Sequence, residues 1–320
     1  MAFSLRLYNP EQDGPAVFSF YQKIFGAAWP LRQDLFHQVV SGHAFYRPGD
    51  HFVAESGGEV VGFAATQVLR PEPLPERQGG IAILGVAPQW RRQGIGTALH
   101  NAALQRLQET GMTSAALGGG GMYRFWPGIP DNLPDVKGFF EKMGWEAFHP
   151  CCDLVRHLAD FEIPASLQQR MTLEGIDLHP AAPAEMPAVL AFEHIEFPFW
   201  YREYAYRVAL GDGHEVLTAW DAHKGLVGTL LMFTPQSKIL GVNVLWKELL
   251  GPDLGGMGAV GVALSERGRG IGIALVAWAS AELKQRQVGN ALIDWTGLVD
   301  FYGKAGYQPW RWYHNAYRKV

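Results

Sequence analysis

The chain has 320 residues, of which 48% are hydrophobic and 18% are charged, and its formal net charge is −4. A usual domain has roughly 100–200 residues, so this length favours two folded domains, and the composition excludes a disordered chain. The net negative charge, without runs of Lys or Arg, indicates no binding surface for nucleic acid or for an anionic membrane.

The first half begins without the basic start and long apolar stretch of a signal peptide, and no uninterrupted apolar run of about 18 residues appears. Residues 52–55 and 60–68 are predicted to form a strand pair around a turn at 56–58, residues 80–86 are apolar like a buried strand, and residues 94–107 have apolar side chains at helical spacing. The predicted elements of this half are strands at 52–55, 60–68, 80–86 and 113–117 and a helix at 94–107.

The periodic pattern weakens over residues 158–172, which we interpret as a linker between domains at 1–160 and 161–320. Just before it lie the only cysteines, Cys151 and Cys152. Adjacent cysteines suit neither a structural disulfide nor a metal site, so they indicate a reducing, cytoplasmic setting.

The second half repeats the order of elements in the first. In both halves a glycine-containing loop joins a predicted strand to the predicted helix. The predicted elements are strands at 176–179, 216–220, 225–233, 258–263 and 291–294 and a helix at 270–283.

Two segments recur in sequence. Residues 85–99 match 261–275 at an offset of 267 − 91 = 176, and residues 139–145 match 301–307 at an offset of 302 − 140 = 162. The spacing is about one domain, which indicates duplication of a whole fold. The first half has 176 − 162 = 14 more residues between the two segments, and these fall in a glycine-rich loop at 118–130.

Each first segment contains Arg-x-x-Gly-x-Gly between a strand and a helix. The glycines permit a tight turn and close approach of a ligand, and the first N–H groups of the helix lack intrahelical partners. Together with the helix dipole they suit a pyrophosphate. The structural alternative is that the glycines only relieve crowding at the turn. A Rossmann dinucleotide site is disfavoured because Leu99 and Leu275 stand where that motif needs a small residue.

The loop motif and the aromatic helix turn at 302–307 resemble the GNAT superfamily of acyl-CoA-dependent N-acyltransferases. The resemblance implies an α/β (α+β) fold of two tandem GNAT-like domains. Each would have a mixed, mostly antiparallel sheet flanked by helices and splayed between its fourth and fifth strands. It also implies acetyl-CoA as co-substrate. The residues expected to bind the coenzyme are Val86, Arg91, Arg92, Gln93, Gly94, Ile95, Gly96 and Thr97 in the first copy and Val262, Arg267, Gly268, Arg269, Gly270, Ile271, Gly272 and Ile273 in the second.

The resemblance implies a tyrosine general acid, which is Tyr302 in the second half, whereas the first half has Phe140 at that position. We therefore expect catalysis in the second domain, while the first binds coenzyme A without turnover or uses another donor such as Tyr123. The oxyanion donor would be a backbone N–H near Val86 or Val262. Trp295 stands where many relatives have Asn. The carboxylates and imidazole within reach, none of them selected as the base by spacing, are Glu248, Asp253, Asp294, Asp300 and His314.

The stretch at 192–204 mixes aromatic and acidic side chains and would suit a cationic amine or a sugar, or else would belong to the core. Tyr123, Phe125 and Trp126 share that ambiguity. No metal-binding spacing occurs among the histidines. The expected function is N-acetylation of a small-molecule primary amine by a monomer or homodimer without nucleic-acid, membrane or metal partners. The alternative is a non-catalytic acyl-CoA-binding protein.

Overall fold

The computed structural model describes residues 2–43, 45–68, 77–119, 123–239 and 241–320. The chain divides into two compact units, Met1–Cys151 with Arg311–Val320, and Cys152–Trp310. The division into domains at 1–160 and 161–320 was inferred from the duplicated segments, and it stays a prediction. The compact first unit also takes in the last ten residues because the final strand pairs within it.

The first unit contains nine strands or parts of strands and four α-helices along the described residues. The strands are β1 (Ser4–Leu7), β2 (His51–Ser56), β3 (Glu59–Val68), β4 (Gln78–Val86), β5 (Ser114–Leu117), β6 (Ile129–Pro130), the start of β7 (His149–His157), the end of β13 (Gln308–Asn315) and β14 (Tyr317–Lys319). The helices are α1 (Pro10–Ile24), α2 (Gln33–Val40), α3 (Ile95–Glu109) and α4 (Pro134–Lys142).

Its sheet has the order β1-β2-β3-β4-β5-β14, in which β4 and β5 are parallel and the other neighbours are antiparallel. Helix α3 covers one face, where Ile95 and Leu99 pack on Ala54 and Val61. Helix α1 covers the other face, and its Phe20 lies against the backbone of Gly85, as does Phe25 just after the helix. The sheet is therefore buried on both sides next to the loop between β4 and α3.

The second unit repeats this plan. Its strands are the end of β7 (His149–His157), β8 (Ile176–Pro180), β9 (Val216–Asp221), β10 (Gly225–Phe233), β11 (Gly255–Val262), β12 (Asn290–Thr296) and the start of β13. Its helices are α5 (Ala165–Glu174), α6 (Met186–Glu196), α7 (Pro198–Leu210), α8 (Lys247–Leu250), α9 (Ile271–Gln285) and α10 (Val299–Gly303).

The sheet order in this unit is β7-β12-β11-β10-β9-β8, and β11 and β12 form the parallel pair. The two copies agree in register, because Gly62 pairs with Val86 in the first and Gly228 pairs with Val262 in the second. Helix α9 packs through Ile271 into the main core of the unit. The predicted fold of two mixed, mostly antiparallel sheets flanked by helices is confirmed.

The aromatic residue that ends each repeated segment anchors the long helix of its unit. Trp145 Nε1 donates to His100 Nε2 on α3 at 2.9 Å, and the Tyr307 hydroxyl lies 2.9 Å from Ser280 Oγ on α9. All four side chains are buried. Trp145 and Tyr307 therefore both attach the end of their segment to the long helix, the first through an indole N–H and the second through a hydroxyl group.

We expect Tyr307→Phe to lower the free energy of unfolding by about 1 kcal/mol, because Ser280 keeps its bond to Val276 O but loses the Tyr307 hydroxyl. Chemical denaturation measures the change. Tyr201→Phe is the control, since Tyr201 is half-buried and its hydroxyl has no hydrogen-bond partner among the described residues. Equal effects of the two substitutions would contradict the anchoring role.

Candidate active site

Each strand–helix loop ends on a glycine in the left-handed region. Gly94 (φ 84°) precedes α3 and Gly270 (φ 87°) precedes α9, and no side chain in the described part of the chain caps either helix. Arg92 (φ 62°) and Gly268 (φ 89°) adopt the same conformation two residues earlier. The first N–H groups of both helices are therefore left without side-chain partners, as an anion site requires.

The first arginine of each motif is tied back to the strand that precedes it. Arg91 Nε donates to Val86 O at 3.2 Å, and Arg267 Nε donates to Val262 O at 3.3 Å. Both guanidinium groups belong to exposed residues at the loop. This repeated contact holds a positive charge beside each helix N-terminus.

The remaining predicted loop residues divide into packing and exposed positions. Ile95 and Ile271 are buried, and the aromatic rings of Phe139 and Phe301 lie against Gly96 and Gly272. Thr97 is exposed, and Ile273 is half-buried. The isoleucines and second glycines thus fix the helix against the unit, while the loop backbone faces outward.

The two loops differ in what surrounds them. A β-carbon placed on Gly94 would meet nothing within 4 Å. Gln93, also exposed, donates from Nε2 to Gln89 O at 3.2 Å. The first loop is therefore open, with Arg91 and Arg92 exposed beside it.

In the second loop the guanidinium of Arg269 lies among three carboxylates. It donates to Glu174 and Asp221 at 2.8 Å and also to Glu266, which Lys224 bonds as well. Backbone N–H bonding, first from His223, and Arg269 lower the pKa of Asp221 to about 2. The structure therefore places Arg269 on protein carboxylates.

Both sheets open at the parallel pair. Pairing of β4 with β5 ends at Ile81 and Leu117, and pairing of β11 with β12 ends at Met257 and Ile293. Strands β4 and β11 continue for five residues beyond that point, to Val86 and Val262. Each unit therefore has a cleft that leads to its glycine loop.

In the second unit both strands that flank the cleft are bulged. Ala259 (φ 48°) and Val260 oppose one residue of β10, and Trp295 (φ 47°) lies in the bulge of β12 opposite Asp153. The Asp153 carboxylate accepts from Trp295 N at 2.9 Å. Positive φ at non-glycine residues stores strain, and such strain clusters at functional sites.

Tyr302 and Asp294 lie near these bulges. A β-carbon placed on Gly258 would stand 3.6 Å from Asp294 Oδ1, so this carboxylate reaches across to β11. Burial, and to a smaller extent the charge of Asp294, raises the pKa of Tyr302 to about 12. The Tyr302 hydroxyl is therefore protonated at neutral pH.

The other residues that the sequence offered as a base lie elsewhere. Asp253 contacts Gly289 at the start of β11, away from the glycine loop. Glu248 is on α8, Asp300 is on α10, and His314 belongs to the first unit, where it pairs with Ile129. Of the five candidates, Asp294 is the one placed at the cleft beyond the last strand pair.

A buried carboxyl group that sequence reasoning missed lies behind β11. Glu193 on α6 is fully buried and accepts a hydrogen bond from Thr229 Oγ1, while no described residue bonds its Oε2 atom. Tyr204, also fully buried, donates to Ala259 O at 3.0 Å in the bulge. Burial raises the pKa of Glu193 to about 8. The acidic and aromatic stretch at 192–204 signalled such a group without identifying it.

In the first unit aromatic side chains fill the space beside the cleft. Phe125 stacks on Tyr21 with ring centroids 5.7 Å apart, and Trp126 lies 5.3 Å from Phe25 and 5.6 Å from Trp29. Phe140 is buried against Trp145. Tyr123, Phe125 and Trp126 of the inserted loop are thus packed side chains; residues 120–122 of that loop lie outside the described ranges.

In the second unit the aromatic stretch is divided. Phe197 stacks on Trp200 at 5.0 Å and lies against Gly261, whereas Ile195 and Phe199 are 75% and 70% exposed. The half-buried Phe197 and Trp200 belong to packing, and the exposed side chains belong to the surface near the end of β11. This arrangement leaves the second cleft with polar groups and an apolar rim.

Within the described ranges no three His, Cys, Asp or Glu side chains are arranged to hold a metal ion, and the expected absence of a metal stays a prediction. No helix in the described part is long and apolar enough to cross a membrane. The cytoplasmic location also stays a prediction.

Residues 15–145 match the model of the acetyltransferase (GNAT) family. Among curated proteins, the mycothiol acetyltransferase of Nocardia farcinica is 26% identical over 81% of this chain and 79% of its own length. These matches cover most of the first unit and much of the second.

Among solved structures, the glucosamine N-acetyltransferase region of a fungal multi-domain GH3 β-N-acetylglucosaminidase is 35% identical over 99% of this chain, with a TM-score of 0.92. The chain spans 38% of that protein. A tandem GNAT protein of the clavulanic acid pathway has a TM-score of 0.64 at 18% identity, which concerns the fold alone.

We expect the stability of the wild-type protein to fall as pH rises from 4.5 to about 8, because the folded state holds a proton on Glu193 that the unfolded state releases. The slope from this one group reaches about 1.4 kcal/mol per pH unit. Glu193→Gln, which cannot titrate, should flatten the curve in denaturant unfolding. Glu59→Gln, at an exposed position, is the control. An unchanged slope in Glu193→Gln would disprove the assignment.

Proposed function

Because the chain belongs to the GNAT superfamily as a tandem acyl-CoA N-acyltransferase, we propose that its second unit transfers an acetyl group from acetyl-CoA to a primary amine of a small molecule. The observations that carry the proposal are the buried Tyr302, whose pKa the charge of Asp294 helps to raise, and the position of the Asp294 carboxylate beside β11 where pairing with β12 has ended. The first unit lacks the tyrosine and has its cleft neighbourhood filled by aromatic rings.

Both loops supply groups that suit the coenzyme. The uncapped N–H groups that follow Gly94 and Gly270, and the guanidinium groups of Arg91 and Arg267, would bond its pyrophosphate. The splayed strands then leave room for the extended arm that carries the thioester.

Amide formation requires the acceptor nitrogen to lose a proton and the departing thiolate to gain one. The nitrogen attacks the thioester carbonyl carbon, a C–N bond forms and the C–S bond breaks. Asp294 is the proposed acceptor of the proton from nitrogen, directly or through one water. Tyr302 is the proposed donor to sulfur, and its raised pKa keeps it protonated until the thiolate forms.

The carbonyl oxygen gains negative charge during attack and needs an aimed N–H donor. The bulge at Ala259 and Val260 interrupts the ladder between β10 and β11, which favours a free backbone N–H on β11. The sequence-based expectation of a donor near Val262, or near Val86 in the first unit, stays part of the proposal.

We propose that the acceptor is an amino sugar of the glucosamine class. The support is the glucosamine N-acetyltransferase region that shares 35% identity over 99% of this chain. An acidic group beside aromatic and apolar side chains suits a cationic amine on a sugar ring. The first unit would bind acetyl-CoA without turnover, and the assembly would be a monomer or homodimer.

The competing function is acyl-CoA binding without catalysis. It is favoured in the first unit by Phe140, which offers no proton. Release of thiol from acetyl-CoA in the presence of glucosamine, and not in its absence, separates the two functions. Turnover eliminates the binding-only alternative for the whole chain.

Calorimetric titration of acetyl-CoA should detect two sites in the wild type and one site in either Gly94→Glu or Gly270→Glu, because the new carboxylate repels the pyrophosphate. Thermal unfolding of both variants controls for the strain of a side chain at positive φ. Absence of binding at millimolar ligand would mean that both loops are only structural turns.

Tyr302→Phe should lower kcat for acetylation by about 10²-fold or more while binding of acetyl-CoA is retained, because only the proton to sulfur is lost. Asp294→Asn should lower kcat/KM by a similar factor, and raising the pH should restore part of it by deprotonating the amine. Phe140→Tyr in the first unit is the matched control, and it should not change turnover. Full activity of Tyr302→Phe would remove the second unit from the chemistry.

A further inference from the structure

The glycine loop of the second unit is covered by a side chain from α5, the helix in the segment that sequence analysis interpreted as a linker. Arg170 Nη2 donates to Gly268 O at 3.1 Å. A β-carbon placed on Gly270 would stand 2.9–3.1 Å from three atoms of this guanidinium group, so the group lies directly on the loop. The first loop has no such neighbour at Gly94.

Arg170 occupies this position while the arginine of the motif itself is engaged elsewhere. Arg269 bonds Glu174, Asp221 and Glu266, of which the last two are 7% and 3% exposed. With Lys224 included, the cluster holds two positive and three negative charges. The cluster therefore contributes no net positive charge to an anion at the adjacent helix N-terminus.

Arg170 can exchange its present hydrogen-bond acceptor for a phosphate oxygen. Its acceptor is a neutral carbonyl oxygen, and the residue is exposed on a helix that ends at Glu174. Guanidinium bonds to phosphate are charge-assisted and about twice as strong as bonds to neutral acceptors. A phosphate at the loop would therefore draw the guanidinium away from Gly268 O.

We propose that Arg170 is a phosphate ligand of the second loop that binds the pyrophosphate of acetyl-CoA in place of Arg269. This inference rests on the proposed function, since it requires the second loop to bind the coenzyme. It makes the two loops different in kind: the first draws its side-chain ligands from its own motif, whereas the second combines Arg267 of its motif with a residue 99 positions earlier in the chain than Arg269.

The test isolates the second site in the Gly94→Glu background and measures acetyl-CoA binding by calorimetry. Arg170→Ala should raise Kd by about tenfold, and Arg170→Lys should fall between Arg170→Ala and the parent, because an ammonium keeps the charge but not the fork. The salt dependence of Kd should weaken in Arg170→Ala. Gln169→Ala, an exposed neighbour on the same helix, should leave Kd unchanged.

The complementary experiment uses the Gly270→Glu variant. In Gly270→Glu, where only the first site remains, Arg170→Ala should not change Kd. Unchanged or tighter binding at the second site in Arg170→Ala would overturn the inference, and tighter binding would mean that Arg170 blocks the loop. Failure of Gly270→Glu to remove a site would instead overturn the proposed function, so the two failures are distinct.

Discussion

The early end of pairing between the two parallel strands of each sheet is the constraint on which both units depend. Strands β4 and β11 lose their parallel neighbours after Ile81 and Met257 but keep their antiparallel ones, so they run on as one wall of a cleft. Backbone groups on the open side must then be satisfied by a ligand, by water or by side chains. The helix that follows begins at a left-handed glycine, which turns its N-terminus toward the same opening.

The duplicated units use this opening in opposite ways. In the first, the rings of Phe25 just after α1 and of Trp126 in the inserted loop pack together, and Phe140 takes the place of a tyrosine. In the second, the bulges at Ala259 and Trp295 hold strained backbone next to ionisable groups. Packed aromatic rings stabilise a fold, whereas strained backbone costs stability and persists where the surrounding structure enforces it. We therefore propose that the first copy serves stability and the second serves catalysis.

The sequence predicts those features that local physics determines. Apolar patterns predict the strands and the long helices, and glycines predict both loops. The internal repeat predicts the duplication. The sequence could not assign Asp294, Glu193 or Arg170, because their roles depend on neighbours 36 to 98 residues away, such as Thr229 for Glu193 and Gly268 for Arg170. For Arg269 the motif is misleading. Its place in the motif suggests a phosphate ligand, but the carboxylates of Glu174, Asp221 and Glu266 bind its guanidinium.

Glu193 and Asp294, the two carboxyl groups near β11 in the second unit, cannot both act as the base. Burial raises the pKa of Glu193 to about 8, so at neutral pH this group is mostly protonated and cannot take a proton from an amine. As a neutral acid it suits the interior, where it supports Thr229 on β10 behind the bulge. Asp294, at the cleft and only partly buried, is therefore the base that we propose. Removal of Glu193 should therefore act on stability and its pH dependence, whereas removal of Asp294 should act on turnover.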